Sequence, residues 1–278
     1  MKSKIIADSC CDLNNDLKEK VKVDLVPLTI EVGDITLVDD EKLDTLELIQ
    51  LMKNSSKAPK TACPSPGEYM KSFEEGENIF VVTLSSALSG SYNSAMLAKK
   101  MFLEQIENKF IHVFDSLSAS IAETLISIKL HELIEQNLDN NTIVERVNHY
   151  IKEMKTFFIL ESLDNLIKAG RLSKIKGKIA SVLNIKPIMG EDGVGNIREV
   201  EKIRGSKKAF RRLAEIIGEQ EGKFEEKIIG IAHCNALEKA KELKDEILKR
   251  YNFKDIIIVE TAGISTVYAY EGGVIVAF

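Results

Sequence analysis

The chain reads IFVVTLSSALSGSYNS from residue 79 to residue 94, an apolar run followed directly by a turn rich in hydroxyl side chains. The aromatic and β-branched residues of the run predict a buried strand over 79–84, and the turn leads into a helix predicted over 90–104. A strand that passes through a turn into a helix is the repeating unit of α/β folds. The stretch therefore predicts an α/β fold in which hydroxyl groups follow the end of a strand.

A second hydroxyl-rich turn reads TACPSPGE over 61–68 and precedes another predicted helix. Helix N-termini carry unpaired N–H groups and a positive partial charge, so hydroxyls gathered there can hold a carboxylate or phosphate without Lys or Arg. Each turn alone is better explained by helix capping, for which Ser and Thr are preferred residues. Together the two turns favour a shared, electrically neutral anion site.

Strands and helices alternate along the first half of the chain, which predicts a parallel, doubly wound sheet. The predicted strands are 3–7, 23–29, 79–84 and 110–114, and the predicted helices are 45–52, 66–73, 90–104 and 118–137. Ligands of such sheets bind beyond the carboxyl ends of the strands. Asp8-Ser9, the 84–91 turn and Asp115-Ser116 are each expected at that edge.

The pattern changes at Thr156, after a helix with a polar face predicted over 140–155. Six strands with interspersed helices indicate a mixed α/β sheet in the second half. The strands are 156–160, 185–189, 196–203, 227–233, 255–260 and 273–278, and the helices are 163–169, 174–183, 206–220 and 236–251. We therefore expect two α/β domains, 1–155 and 156–278.

Composition excludes several classes of protein. A net charge of -5 gives no electrostatic reason to expect nucleic acid as a partner. The chain has no run of 18 apolar residues and too few apolar residues at its start for a signal peptide, so we expect a cytoplasmic protein. The spacing of its four cysteines does not match a zinc site, and we expect reduced thiols. The cysteines are Cys10, Cys11, Cys63 and Cys234.

Catalytic motifs are weak. A Ser nucleophile needs a His base, and only His233 stands at the end of a predicted strand, where packing explains it as well. Nucleotide loops, nucleophile elbows and zinc helices are absent from the sequence. Turn capping accounts for Asp8, Asp12 and Asp115. We expect no catalytic residue, metal or cofactor, and the alternative is a small-molecule acid kinase or Ser-dependent hydrolase that uses the same Ser- and Thr-rich site.

The two turns belong to a set of motifs in a fixed order. They are IADSCCDL (6–13), TACPSPGE (61–68), LSSALSGSYNS (84–94), VFDSLSAS (113–120), KAGR (168–171), IKPI (185–188) and KIRGSKKA (202–209). In this order they resemble the motifs of the DegV family, from residue 6 to at least residue 237. The resemblance implies a bacterial fatty-acid-binding protein that is not itself an enzyme and presents a bound acyl chain to a separate fatty-acid kinase.

The resemblance also implies roles for individual residues. Thr61 and Ser89 stand at the family's head-group positions, where their hydroxyls would contact the ligand carboxylate. Ser65, Gly90 and Ser91 would shape that end of the site through backbone N–H groups.

Four basic residues match family positions as well. Arg171 matches a Gly-Arg turn and would pair with the carboxylate or with an orienting acid, unless it forms an ordinary salt bridge between the domains. Arg204, beside Lys207 and Lys208, matches a position that faces the kinase or the membrane, unless these residues form only a solvated basic surface.

The chain departs from the family near its end. Where the family commonly has a His before a Gly-Pro-Gly turn, this chain reads TVYAYEGG over 266–273, so that Tyr268 stands in the place of the His. A phenol can still donate a hydrogen bond to a carboxylate, but it cannot become cationic. The departure therefore bears on the choice of head group rather than on the fold.

The resemblance implies a ligand between the two domains, a long-chain fatty acid such as palmitate, stearate or oleate, with transient membrane contact for ligand exchange. Apolar residues of 159–188 would line its tunnel, although each is also explained as ordinary core. They include Leu163, Leu166, Ile167, Ile179, Leu183 and Ile185.

Overall fold

The computed structural model describes residues 3–106, 108–172, 184–220 and 222–278. Its strands are β1 Ser3–Asp8, β2 Val23–Val26, β3 Thr29–Val32, β4 Ile35–Val38, β5 Lys60–Ala62, β6 Asn78–Thr83, β7 Phe110–Asp115, β8 Thr156–Ile159, β9 Ile185–Glu191, β10 Ile197–Arg204, β11 Ile228–His233, β12 Asp255–Glu260 and β13 Val274–Ala277. Its α-helices are α1 Asn15–Val21, α2 Thr45–Asn54, α3 Pro66–Ser72, α4 Ser91–Leu103, α5 Ile121–Glu135, α6 Asn140–Glu153, α7 Asp164–Lys168, α8 Ser206–Gly218, α9 Leu237–Leu248 and α10 Gly263–Ala269.

A parallel sheet in the order β2-β1-β6-β7 forms the N-terminal half, as predicted. All six residues of β6 are buried, because helices cover both faces of the sheet. Tyr69 of α3 and Phe73, which follows this helix, pack with Ala95 and Phe102 of α4 against one face. Leu125 and other residues of α5 pack against the opposite face.

A six-stranded mixed sheet in the order β10-β9-β8-β13-β11-β12 forms the C-terminal half. Its neighbouring strands pair antiparallel, except β11 and β12, which are parallel. Helices α8 and α9 cover one face through Leu213, Leu243 and their apolar neighbours. The prediction of a mixed α/β sheet is therefore confirmed. The helix predicted over 174–183, with Ile179 and Leu183, lies outside the described residues.

A small antiparallel sheet in the order β4-β3-β5 was not predicted. The strand predicted over 23–29 is in fact two strands, β2 and β3, separated by Pro27. Proline fixes its own φ and has no N–H to donate, so it interrupts the run. The small sheet matters because β5 carries Thr61, which lies opposite Ile30 of β3.

Helix α5 lies between the two large sheets. It contacts β1 and β6 of the parallel sheet and also β11 and β13 of the mixed sheet. A single core therefore joins Val82 and Leu125 with Val259 and Ala277. Within the described ranges, no helix combines the length and apolar character needed to cross a membrane.

Gly230 of β11 allows α5 to approach the mixed sheet closely. A Cβ atom there would lie 2.3 Å from Cγ1 of Ile121, a distance that forces the backbone or side chain to move. We expect Gly230→Ala to lower the free energy of unfolding by about 1 to 3 kcal/mol through overpacking, as measured by urea denaturation. Gly67→Ala is the matched control, because its Cβ would meet nothing nearer than 3.9 Å. Equal stability of the two variants would contradict this close packing.

Candidate functional site

A cavity lies between the parallel and mixed sheets, at the carboxyl ends of β1, β6 and β7. The centres of water-sized molecules can occupy about 110 Å³ of it, and about 800 Å³ is free of protein atoms when the solvent at its open mouth is counted. Its walls are mostly apolar and include Leu84, Leu88, Phe158, Leu166 and Ile264. Each methylene group that a ligand buries there would contribute about 0.8 kcal/mol. The cavity is therefore suited to a ligand with an apolar chain.

The structure brings the two hydroxyl-rich turns into contact. The hydroxyl of Ser94 donates a hydrogen bond of 2.5 Å to the carbonyl oxygen of Pro64. A Cβ atom on Gly90 would lie only 3.0 Å from Sγ of Cys63. The turns over 61–68 and 84–94 thus form one continuous surface beside the cavity.

Three predicted site residues meet at one end of the cavity. Tyr268 of α10 lines the cavity, and its hydroxyl lies 2.7 Å from Oγ1 of Thr61. Arg171 also lines the cavity, with its guanidinium carbon 5.9 Å from the centre of the Tyr268 ring. Its Nε donates to the carbonyl oxygen of Leu88 at 3.1 Å, which fixes the side chain. This end can offer hydroxyl and guanidinium donors to an anion.

The other predicted head-group residues lie in the adjoining turns. The hydroxyl of Ser89 accepts from the N–H of Ser91 at 3.2 Å, next to the lining residue Leu88. Ser65 and Glu68 form a reciprocal capping box at the start of α3. Ser65 and Ser89 thus make local hydrogen bonds typical of helix N-termini. Helix capping was the alternative to ligand binding for these turns.

The side chain of Ser91 points into the protein beneath the turn. It is fully buried and donates to Oδ2 of Asp8 at 2.6 Å, while the hydroxyl of Tyr69 lies 2.6 Å away. Asp8 also accepts from the N–H groups of Leu84 at 2.9 Å and Cys10 at 3.2 Å. Asp8 therefore ties β1 to the turn that follows β6.

Two more buried carboxylates hold the start of α10. Asp12 accepts from the N–H of Ala262 at 2.7 Å, and the Ser120 hydroxyl donates to its other oxygen. Asp39 accepts from the N–H groups of Gly263 and Ile264. Sequence reasoning missed Asp39 altogether, because its partners lie more than 200 positions away.

Glu123 of α5 is fully buried, and neither carboxyl oxygen has a hydrogen-bond partner among the described residues. Burial first, and then the negative charge of Asp8, raise its pKa well above the usual value, so the neutral acid is favoured. An acidic residue inside the apolar stretch IAETLISI (121–128) was the available sequence signal for this group.

Asp8, Cys10 and Glu123 place candidate metal ligands within 4.8 Å of one another. Asp8 already accepts three hydrogen bonds, and Sγ of Cys10 lies 3.8 Å from the Ser265 hydroxyl. Burial raises the pKa of the Cys10 thiol well above its usual value, which disfavours the thiolate that metals bind. The hydrogen bonds of Asp8 and Cys10 assign these two residues to holding the turns.

His233 is buried, with Nδ1 3.0 Å from Oε2 of Glu260 and 3.4 Å from the N–H of Ala236. Within the part of the chain that the structure describes, no Ser or Thr hydroxyl hydrogen-bonds to it. Among these residues, His233 therefore does not act as the base of a Ser or Thr nucleophile.

The predicted partner-binding residues lie on the surface around the junction of β10 and α8. Arg204, Lys207 and Lys208 are exposed, and none of them takes part in the ion pairs found among the described residues. Their charges are available to an acidic surface.

The sequence matches, over residues 2–278, the family model described as "Uncharacterised protein, DegV family". A DegV domain-containing protein of Streptococcus pneumoniae is 38% identical over 280 residues, covering 99% of this chain and 98% of the relative. A solved DegV-family protein of Ruminococcus gnavus, refined with vaccenic acid, is 44% identical with a TM-score of 0.97, covering 100% of this chain and 99% of that chain. The S. pneumoniae Fatty Acid Kinase (Fak) B3 protein loaded with linoleic acid is 37% identical with a TM-score of 0.92 and the same coverage.

The buried acids predict an unusual dependence of stability on pH. Burial raises the pKa of Asp12 to about 7, so the folded chain holds this proton more tightly than the unfolded chain does. The resulting stabilisation is fully present below the unfolded pKa near 3.8 and is lost as the pH rises through about 7. The free energy of unfolding of wild type minus that of Asp12→Asn should therefore fall over this range, as measured by urea denaturation.

Asp139→Asn is the matched control for this titration. Hydrogen bonds from the Thr142 side chain, then from backbone N–H groups, lower the pKa of Asp139. Its contribution is present above the unfolded pKa and is lost as the pH falls, so the difference between wild type and Asp139→Asn should change in the opposite direction. Slopes of the same sign for both variants would show that the Asp12 pKa is not raised.

Proposed function

The chain belongs to the DegV family, and from that premise we propose that it binds one long-chain fatty acid in the cavity between its two sheets. The observation that carries the proposal is the apolar cavity with Tyr268, Thr61 and Arg171 gathered at one end. A fatty acid requires this combination, because its chain gains from burial while its carboxylate loses several kcal/mol unless hydrogen bonds or charges replace water.

The carboxylate of the ligand would lie at the end of the cavity marked by Tyr268 and Arg171. The phenol, the guanidinium and the Thr61 hydroxyl would donate to it, and Thr61 and Tyr268 are already held together by their 2.7 Å contact. Ser89 would donate through its hydroxyl from the adjoining turn. The backbone N–H groups of Ser65, Gly90 and Ser91 would shape the same end of the cavity. Palmitate, stearate and oleate are the ligands that we expect.

We further propose that the chain is a carrier rather than an enzyme and presents the carboxylate to a separate fatty-acid kinase. The relative named as a fatty-acid kinase B3 protein supports this role. The exposed Arg204, Lys207 and Lys208 would contact that kinase. Transient contact with a membrane would allow ligand exchange, and the site of action would be the cytoplasm, where ATP is available to the kinase. The domains would be 1–155 and 156–278, with the ligand between them.

Ligand uptake and three hydroxyl deletions test the proposed site. Delipidated wild type should take up one palmitate or oleate per chain in native mass spectrometry. Thr61→Val, Ser89→Ala and Tyr268→Phe should each weaken binding about 10- to 150-fold, since a hydrogen bond to a charged group contributes about 1.5 to 3 kcal/mol. Thr61→Val and Tyr268→Phe should combine non-additively, because their hydroxyls bond each other.

Thr36→Val and Tyr251→Phe are controls for these substitutions. Thr36 is exposed on β4, and Tyr251 is partly buried against the core of the C-terminal half; neither lines the cavity. Both should bind fatty acid as wild type does. Absence of any uptake by wild type would overturn the function. Uptake that is unaffected by all three site variants would overturn only the head-group assignment.

The kinase contact has its own test. Arg204→Ala should slow acyl-phosphate formation by the cognate kinase about tenfold at low salt, and less at high salt, because exposed charges mainly affect association. The fatty-acid content of the purified variant should not change. Arg146→Ala, at an exposed position of α6, should leave the rate unaltered. Equal rates for the Arg204 and Arg146 variants at every salt concentration would exclude this docking surface.

A further inference from the structure

Helix α10 begins without a capping side chain of its own. Ala262 occupies the N-cap position and offers no side-chain acceptor, although the first N–H groups of a helix have no partner within it. These groups donate instead to two distant carboxylates. Ala262 donates to Asp12 at 2.7 Å, while Gly263 and Ile264 donate to the two oxygens of Asp39 at 2.8 and 3.0 Å.

Asp39 is itself held firmly. It is 4% exposed, and its own N–H donates to the carbonyl oxygen of Leu28 at 2.9 Å. A Cβ atom on Gly263 would lie 2.4 Å from Oδ1 of Asp39 and 2.3 Å from Cδ2 of Leu43. The helix start therefore fits against Asp39 only because residue 263 is glycine.

Helix α10 connects this contact to the candidate head-group end. Tyr268 follows Gly263 by five residues, a rise of about 7.5 Å along a helix. The helix residues between them are all buried, so packing prevents the helix from bending to absorb a shift. A displacement at the Asp39 end would therefore move the Tyr268 hydroxyl away from Thr61.

We propose that Asp39 is a positioning residue for the head-group end of the cavity. By accepting hydrogen bonds from two N–H groups of α10, it sets where the Tyr268 hydroxyl lies relative to Thr61 and Arg171. Asp39 does not line the cavity and would not touch the ligand. This role rests on the proposed fatty-acid binding, and it adds a residue that acts through α10, whose cavity-lining residues include Ile264 and Tyr268.

A double-mutant cycle tests this coupling. Asp39→Asn keeps the size of the side chain but replaces one acceptor oxygen with an amide that cannot accept from an N–H group. The affinity for palmitate should fall about tenfold in the wild-type background. In the Tyr268→Phe background, Asp39→Asn should change the affinity little, because the hydroxyl that it positions is absent.

Asp139→Asn is the matched control, because Asp139 likewise accepts from two N–H groups at the start of a helix, α6. It should leave palmitate affinity unchanged in both backgrounds. An equal loss of affinity from Asp39→Asn in both backgrounds would overturn the positioning role while leaving fatty-acid binding intact.

Two further results have defined meanings. If wild type binds no palmitate, the proposed function and the positioning role both fail. If Asp39→Asn does not fold, Asp12→Asn takes its place, because Asp12 holds the neighbouring Ala262 N–H. If Asp12→Asn lowers palmitate affinity in the wild-type background but not in the Tyr268→Phe background, the role of the carboxylates in placing α10 is supported. If the affinity losses from Asp12→Asn and Tyr268→Phe add, that role is overturned.

Discussion

Hydrogen bonds from backbone N–H groups to buried carboxylates set the geometry of the candidate site. Asp8 holds the turn after β6, and Asp39 holds the start of α10, so the two elements beside the head-group end are fixed by the same kind of contact. A buried carboxylate that lost these donors would face a cost of several kcal/mol. The loops therefore have one strongly favoured arrangement, and the apolar walls of the cavity pack around it.

This arrangement places several acids close to a cavity that is proposed to hold an anion. Burial raises the pKa values of Asp12, Asp39 and Glu123, so the group carries less negative charge than its composition implies. Repulsion of a ligand carboxylate is reduced accordingly. Arg171 supplies a positive charge at the end where Tyr268 lies. Among the described residues, the site thus combines an apolar interior with a cationic end.

Local patterns in the sequence predicted the strands and helices that depend on local interactions. The run over 79–84 and the helix after it follow directly from apolar spacing and turn residues, and the two hydroxyl-rich turns do meet. Helix α10 was missed because Ile264, Thr266 and Val267 are poor helix formers. Its start is held by Asp12 and Asp39 through contacts that span more than 200 positions. The contact between Thr61 and Tyr268 is equally remote, and the family resemblance pointed to each residue but not to their contact.

The position of helix α5 between the two large sheets constrains how such chains can evolve. Because it serves as the inner layer of both large sheets, neither sheet has a complete hydrophobic interior without it. If one half of the chain were replaced by that of a relative, a sheet with different side chains would pack against α5. The side-chain volumes on that face of the helix would then no longer match. Recombination within the chain is therefore disfavoured, and the two sheets are expected to evolve together as one inherited unit. Relatives that align over nearly their entire length are what such a constraint would produce.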